Sequence, residues 1–188
     1  MTLQLPDLPA LLDLAAQEAA ALAGELRQAV AQRARKDGKL DRAALDADQH
    51  GSHGLAWATA YAETLRQTAA WAAALQAEGR LGEAEALPAQ LLAFEYLSQL
   101  AGGLPMNQGE MFRPGDLGVS AARLDGVIAK LRPGASQAVR LRIVELLDQA
   151  RGHASLEASG LDDTLEHIRD QFQQFAAEKI TPFATSGT

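Results

Sequence analysis

The sequence contains no cysteine, few aromatic residues and few β-branched residues, and each scarcity excludes something. Without cysteine the chain cannot form disulfides or use a thiolate nucleophile. Aromatic residues are only 5% of the 188 residues, and valine and isoleucine are rare, whereas strands favour both groups. Most of the apolar content is alanine and leucine, which lose little side-chain entropy in a helix. The composition therefore predicts an all-α fold.

Positive charge is also in short supply, because 17 basic residues face 24 acidic ones and the formal net charge is −7. This balance argues against nucleic acid as a partner, since phosphate binding needs a concentrated basic face. One basic cluster lies near a predicted helix C-terminus, where cations suit the helix dipole. We interpret it as a solvated helix end, with an anion-binding or membrane-binding patch as the alternative. Its members are Arg27, Arg33, Arg35, Lys36, Lys39 and Arg42.

Long apolar runs are missing as well. No stretch approaches the roughly 18 uninterrupted apolar residues of a transmembrane helix. The N-terminal segment carries Asp7 and Asp13 and lacks the basic region of a signal peptide. We therefore expect a soluble cytoplasmic protein with no membrane partner.

Apolar residues recur at helical spacing along most of the chain. The first helix is expected to begin at Asp7 as N-cap, with Pro9 in its first turn, and to end at Asp37-Gly38. A second helix is expected from about Arg42 to Ala77, with two adjacent apolar stripes that predict an enclosed position in a bundle. The stripes are Leu55, Ala58, Ala62, Leu65, Ala69 and Ala72, and Trp57, Tyr61, Thr64, Thr68, Trp71 and Leu75.

The remaining helices are shorter. A third helix is expected from about Glu83 to Ala101, followed by an irregular segment over 104–118 that contains two prolines and three glycines. Ser120 and Ser136 are predicted to cap the next two helices. Asp163 and Glu166 have capping-box spacing at the start of the last one.

This pattern predicts three parts. Residues 1–151 are expected to form an antiparallel bundle of about five helices. Residues 152–162 are expected to form a linker, and residues 163–183 one further helix.

The sequence offers few candidates for chemistry. Asp46, His50 and His53 could share one helix face, and both residue types bind metals. No histidine has a glutamate three residues before it, as a di-iron bundle requires. We interpret the three residues as a polar contact among small residues and keep a metal-binding or small-ligand bundle as a weaker alternative.

No catalytic or cofactor-binding residue is predicted. The sequence has no GxSxG elbow, no GxGxxG loop and no Walker loop. Glu110 and Arg113 lie in the irregular segment, where functional residues often occur, and we interpret them as ties between the segment and the bundle. Trp57, Tyr61 and Trp71 are interpreted as core residues.

Two stretches resemble a known family. LEHIRDQFQQFAAEKITP, residues 165–182, resembles the first helix of the flavin-dependent acyl-CoA dehydrogenases. Residues 48–71 and 94–110 are similar to the helical N-terminal extension of the methylsuccinyl-CoA dehydrogenase-like branch of that family. The two matches agree in order and spacing, and together they cover most of residues 40–183.

The resemblance implies a parent enzyme that uses FAD for the α,β-dehydrogenation of a short branched acyl-CoA. This region would be its non-catalytic N-terminal helical domain, with a C-terminal catalytic domain and further copies of the chain as partners. The chain alone is expected to be inactive and to hold no cofactor, because the flavin-contacting β-domain and the catalytic glutamate have no counterpart here. Pro182 matches the proline that closes the family's first helix, so the dehydrogenase-like domain is expected to be truncated after that helix, and the apolar face of the helix is expected to be exposed. A stand-alone interaction or dimerisation module is the alternative.

Overall fold

A computed structural model describes residues 2–149 and 161–184, and almost all regular structure in these ranges is helical. The chain divides into two compact units, residues 1–154 and residues 155–188. The strands in the described ranges belong to two small hairpins with two residues in each strand. The all-α prediction is therefore confirmed. Most of the predicted linker lies outside the described residues, so the predicted division of the chain stays a prediction.

The first helix, α1, spans Leu8–Arg33 and ends earlier than expected. Asp7 holds the N-cap position, but its side chain makes no capping hydrogen bond and its φ is 50°. The predicted end at Asp37-Gly38 is wrong. These two residues have φ values of 52° and 76° and form the turn of a hairpin. Positive φ at both central positions defines the type I′ turn, for which Asp-Gly is a preferred sequence.

The hairpin pairs β1 (Arg35–Lys36) with β2 (Lys39–Leu40). The predicted single helix over 42–77 is also wrong, because the chain breaks at Asp48, which has φ −108° and ψ 61°. Helix α2 spans Arg42–Ala47 and α3 spans Gln49–Ala77. The Asp48 carboxylate accepts a hydrogen bond of 3.1 Å from the Gly51 N–H, which makes Asp48 the N-cap of α3.

Helix α4 spans Glu83–Gly102, with Pro88 inside it, and Gly103 follows with φ 146°. The irregular segment after it contains β3 (Leu104–Pro105), which pairs with β4 (Met111–Phe112). Its other turns are short 3₁₀ helices.

Helix α5 spans Asp125–Leu131 and α6 spans Gln137–Gln149. Ser136 caps α6 as predicted, because its hydroxyl accepts from the Val139 N–H at 3.4 Å. The Ser120 hydroxyl accepts from the Ala122 N–H at 3.3 Å, so it supports a 3₁₀ turn that precedes α5 and does not cap α5 itself.

The second unit contains α7 (Asp163–Lys179) and α8 (Thr181–Ala184). The cap of α7 is Asp162, whose carboxylate accepts from the Leu165 N–H at 2.9 Å. The predicted capping box of Asp163 and Glu166 is wrong because the helix begins one residue earlier than that spacing requires. No helix among the described residues is both long enough and apolar enough to cross a membrane.

The core of the first unit lies along the seam between α1 and α3. Arg33 at the end of α1 pairs with Asp48 at the start of α3, so the two helices run antiparallel. Small side chains let the helices approach closely, and each buried leucine contributes about 1.5–3 kcal/mol. Of the predicted second stripe of α3, Leu75 is buried, whereas Trp57, Tyr61 and Trp71 are half-buried at the edge of the core. The seam consists of Leu8, Leu12, Ala15, Ala16, Ala19, Leu22, Leu26, Val30, Ala58, Ala62, Leu65, Ala69 and Ala72.

Candidate functional site

A polar cluster joins the irregular segment to the ends of α1 and α3, and we call it the clasp (Arg33, Asp48, His50 and Asp116). His50 Nε2 lies 3.2 Å from Asp116 Oδ2. Arg33 Nη2 donates to the Asp116 backbone carbonyl at 2.8 Å, and Arg33 Nη1 lies 3.5 Å from Asp48 Oδ2. The clasp therefore fixes the 114–117 turn on both helices at once.

The electrostatics of the clasp favour a charged Asp116. The Arg113 N–H donates to Asp116 Oδ2 at 2.8 Å. This hydrogen bond is the main cause that lowers the pKa of Asp116 below its ordinary value, and the contact with His50 is the second. Hydrogen bonds to the ionised form stabilise that form, so the clasp contains a carboxylate at neutral pH.

An apolar contact lies beside the clasp. The Phe112 side chain is fully buried and rests directly on the backbone of Gly54 in α3. A Cβ atom at position 54 would lie 2.2 Å from the Phe112 ring, and one at position 51 would lie 3.0 Å from Leu117. The absence of a Cβ atom at these two glycines lets the irregular segment pack directly on α3.

A row of rings runs along α3 to α4, and we call it the aromatic ladder (His53, Trp57, Tyr61 and Tyr96). Trp57 Nε1 donates to His53 Nε2 at 3.1 Å. The Trp57 and Tyr61 rings meet edge-on at 6.4 Å, and Tyr61 stacks on Tyr96 at 4.1 Å between ring centroids.

Tyr61 ties the aromatic ladder to α4. Its hydroxyl donates to Gln99 Oε1 at 2.7 Å. Partial burial, followed by the neighbouring Tyr96, raises the pKa of Tyr61. The hydroxyl therefore stays protonated and acts as a hydrogen-bond donor at neutral pH.

The structure separates the three residues that were weighed as metal ligands. His50 faces Asp116 and His53 faces Trp57. Asp46 lies in α2, before the break at Asp48, and its backbone carbonyl accepts from the Gln49 side chain at 3.3 Å. Within 2–149 and 161–184, no group of three histidine, aspartate or glutamate side chains is arranged to hold a metal ion.

The tie between the irregular segment and the bundle differs from the expected one. The Glu110 side chain is exposed, and its backbone carbonyl accepts from the Met106 N–H at 2.8 Å inside the segment. The Arg113 backbone N–H donates to Asp116. Asp116 in turn connects the segment to the bundle through His50 and Arg33. No sequence pattern pointed to His50 and Arg33 as the partners of Asp116, from which they lie 66 and 83 positions away.

The second unit presents an apolar stripe on α7, consisting of Leu165, Ile168, Phe172 and Phe175. These side chains are 47%, 47%, 71% and 55% exposed, and no residue of α7 is buried. The predicted exposure of this face is confirmed. Carboxylate-arginine pairs lie on other positions of the helix, with Arg169 contacting Glu166 and Asp170.

Two hollows of the first unit do not suit a flavin dinucleotide. One of about 540 Å³ is lined by residues around the start of α1, including Asp7, Pro9 and Gln76. A helix N-terminus binds a diphosphate through free N–H groups, but here Pro9 lacks one and Asp7 adds a negative charge. A second hollow of about 260 Å³ lies over the α1–α3 seam at Gly24 and Thr59. Neither provides a cradle for FAD, so we derive no flavin chemistry from these residues.

Comparison with known proteins agrees with the resemblance found in the sequence. No protein-family model matches the chain. The (2S)-methylsuccinyl-CoA dehydrogenase of Cereibacter sphaeroides is 42% identical over 181 residues, which is 96% of this chain. The chain spans about a third (33%) of that enzyme's length. The predicted similarity to an acyl-CoA dehydrogenase is thereby confirmed.

Proposed function

We propose that this chain is a non-catalytic helical domain of an FAD-dependent acyl-CoA dehydrogenase, and that it packs against the catalytic region of that enzyme. The parent reaction would be the α,β-dehydrogenation of a short branched acyl-CoA thioester. The support for this parent is the similarity to an enzyme named for a methylsuccinyl-CoA substrate. The residues that hold FAD and abstract the α-proton would belong to the catalytic region and not to this chain.

The observation that carries the proposal is the α7 stripe. Its four apolar side chains are exposed on a helix whose sequence resembles the first helix of the dehydrogenase fold. Burying a side chain of this kind contributes about 1.5–3 kcal/mol. An exposed contiguous apolar face of this sort marks an interaction surface. A catalytic domain that packs on α7 would bury this face.

The first unit would act as a rigid body in this assembly. The clasp and the Phe112–Gly54 contact hold the irregular segment on α1 and α3, and the aromatic ladder ties α3 to α4. No group of these residues forms a catalytic pair with a free nucleophile. The unit therefore fits a role in packing and in oligomer formation better than a role in chemistry.

The test mixes the chain with a catalytic region of the C. sphaeroides enzyme that lacks the matching segment. We expect the two to co-elute in gel filtration. The double substitution Phe172→Ser/Phe175→Ser should abolish the complex, because it removes half of the α7 stripe. The matched control, Gln173→Ser/Gln174→Ser on the same helix, should leave the complex intact.

Two results would contradict the proposal. The first is saturable FAD binding, or dye-linked acyl-CoA dehydrogenation, by the purified chain on its own. The second is a catalytic region that is fully active and stable while showing no association with the chain.

A second candidate is a stand-alone module that forms homodimers, and the same α7 stripe favours it. Two copies of an exposed apolar helix face can cover each other. A cooperatively folded homodimer that does not co-elute with the catalytic region would support this function over the first.

A further inference from the structure

The hairpin of β1 and β2 carries a concentration of cations that the rest of the described chain does not neutralise. Arg35, Lys36 and Lys39 are exposed in the hairpin, and Arg42 follows at the start of α2. None of the four makes an ion pair with a described residue. Most described arginines outside the hairpin do make one: Arg33, Arg66, Arg80, Arg123, Arg140, Arg142 and Arg169.

The register of the hairpin places like charges together. Lys36 lies directly opposite Lys39, next to the Asp37-Gly38 turn. Like charges directly opposite each other destabilise a strand pair, so the hairpin would be more stable with a polar residue at either position. A local rule broken without an internal compensation is typical of a functional position.

These cations surround a hollow. It has a volume of about 480 Å³ and is lined by Lys36, Lys39 and Arg42, with Leu40, Asp37 and Asp41. The hollow is wide open to solvent, so it could contact the phosphate end of a ligand and would leave the rest of that ligand outside. The Asp41 carboxylate accepts from the Ala43 N–H at 2.9 Å and caps α2, so one of the two acidic groups is already engaged.

An apolar surface adjoins the charge. Leu40 is 65% exposed and pairs with Arg35 across the hairpin. A ligand that joins an aromatic ring to several phosphates would contact the leucine and the cations at once. A membrane surface fits less well, because the hairpin exposes a single large apolar side chain, Leu40, which offers little apolar area for insertion between lipids.

We propose that this hairpin binds the phosphate groups of a coenzyme A thioester, through Lys36, Lys39 and Arg42, with Leu40 against the adenine. The identity of the ligand rests on the proposed function, which makes an acyl-CoA the substrate of the parent enzyme. Lysine binds phosphate as a point charge, whereas arginine adds directed hydrogen bonds. The hairpin would hold the nucleotide end of the thioester while the acyl end reaches the catalytic region.

The test is a calorimetric titration of the 188-residue chain with coenzyme A, 3′-dephospho-coenzyme A and pantetheine at low salt. We expect affinity to fall in that order, since phosphates are lost at each step, and to weaken as salt is raised. The substitution Lys36→Glu/Lys39→Glu should weaken coenzyme A binding by at least about tenfold, because two favourable charges become repulsive. The control, Lys130→Glu, changes an exposed lysine outside the hairpin and should bind as the wild type does. Circular dichroism should show that all variants remain folded.

The inference would be overturned if the wild type shows no binding, if pantetheine binds as tightly as coenzyme A, or if K36E/K39E binds normally. Capture of the chain by anionic vesicles without competition by coenzyme A would also overturn it in favour of a lipid headgroup. Co-elution of the chain with the catalytic region is scored separately. If the wild-type chain co-elutes with the catalytic region but binds no coenzyme A, this inference fails while the proposed function stands.

Discussion

At the scale of single residues, the contact between Gly54 and Phe112 is among the tightest in the first unit. Gly54→Ala would place a methyl group 2.2 Å from the buried ring, so the ring or the helix must shift. Forcing extra volume into a packed site costs about 1–3 kcal/mol. We expect G54A to lower the free energy of unfolding by this amount in urea denaturation.

The chain offers a matched control for that substitution. Gly24 lies inside α1, and a Cβ atom there would meet nothing within 4 Å. Gly24→Ala should stabilise the protein by about 0.5–1 kcal/mol, because alanine loses less backbone entropy in a helix. Equal effects of the two substitutions would mean that Phe112 does not rest on α3 in solution.

The side-chain amide of Gln90 connects three separate segments of the first unit. It is fully buried in α4, where its Oε1 accepts from the Leu5 N–H at 3.0 Å. Its Nε2 donates to the carbonyls of Leu3 and Gly134 at 3.0 and 3.2 Å. One amide therefore joins the N-terminal segment, α4 and the turn before α6.

Gln90→Leu would keep the volume and remove all three hydrogen bonds. Buried backbone groups without partners cost about 1–3 kcal/mol, so the melting temperature should fall and amide exchange should rise at residues 3–5. Gln28→Leu, an exposed position on α1, should change stability by less than about 0.5 kcal/mol. If Q90L and Q28L change the melting temperature equally, water replaces the lost partners and the three hydrogen bonds of Gln90 do not stabilise the fold.

At the scale of elements, the clasp makes the docking of the irregular segment depend on pH. The folded pKa of Asp116 lies below its ordinary value of 3.8. A lowered carboxyl pKa stabilises the folded state above the ordinary range, and this stabilisation is lost as pH falls through the folded pKa. The clasp should therefore open in acid and remain closed at neutral pH.

The measurement compares the melting temperatures of the wild type and Asp116→Asn between about pH 7 and pH 2. We expect a gap at neutral pH that closes on acidification. Asp148→Asn, at an exposed position of α6, should follow the wild-type pH dependence. A constant gap between the wild type and D116N would show that the charge of Asp116 does not hold the segment.

The elements also show what could be predicted from the sequence. The helices with long apolar periodicity and the cap at Ser136 were predictable, because those signals are local. The hairpin was missed although Asp37-Gly38 is a preferred type I′ sequence, since glycine after a helical pattern also indicates a helix end. The break at Asp48 was missed because apolar periodicity continues across it.

The candidate site was less predictable than the fold. His50 stood out in the sequence, but its contact with Asp116 joins residues 66 positions apart. Spacing rules report only neighbours on one helix or strand. The burial of Gln90 and the pairing of Glu95 with Arg140 are likewise set by tertiary packing. The exposed α7 stripe was predictable, because it followed from a resemblance to a helix that other proteins cover.

At the scale of the whole molecule, the α7 stripe governs association. We expect the full chain to self-associate in light scattering, because the exposed phenylalanines favour burial against another surface. Deletion of residues 160–188 should give a monodisperse monomer of unchanged helical content per residue. If the truncated chain associates as the full chain does, the first unit carries the self-association instead.

The long-range contacts of the first unit also have a consequence for the order of folding. Leu5 bonds to Gln90, 85 positions away, and Arg33 bonds to Asp116, 83 positions away. Contacts of such separation stabilise the chain only after a large loop has closed, whereas the type I′ hairpin and the individual helices form without such closure. We therefore expect the irregular segment to dock late, on a surface of α1 and α3 that is already formed. A nascent chain released before residue 116 would lack the Asp116 carbonyl, which accepts a hydrogen bond from Arg33 at the end of α1.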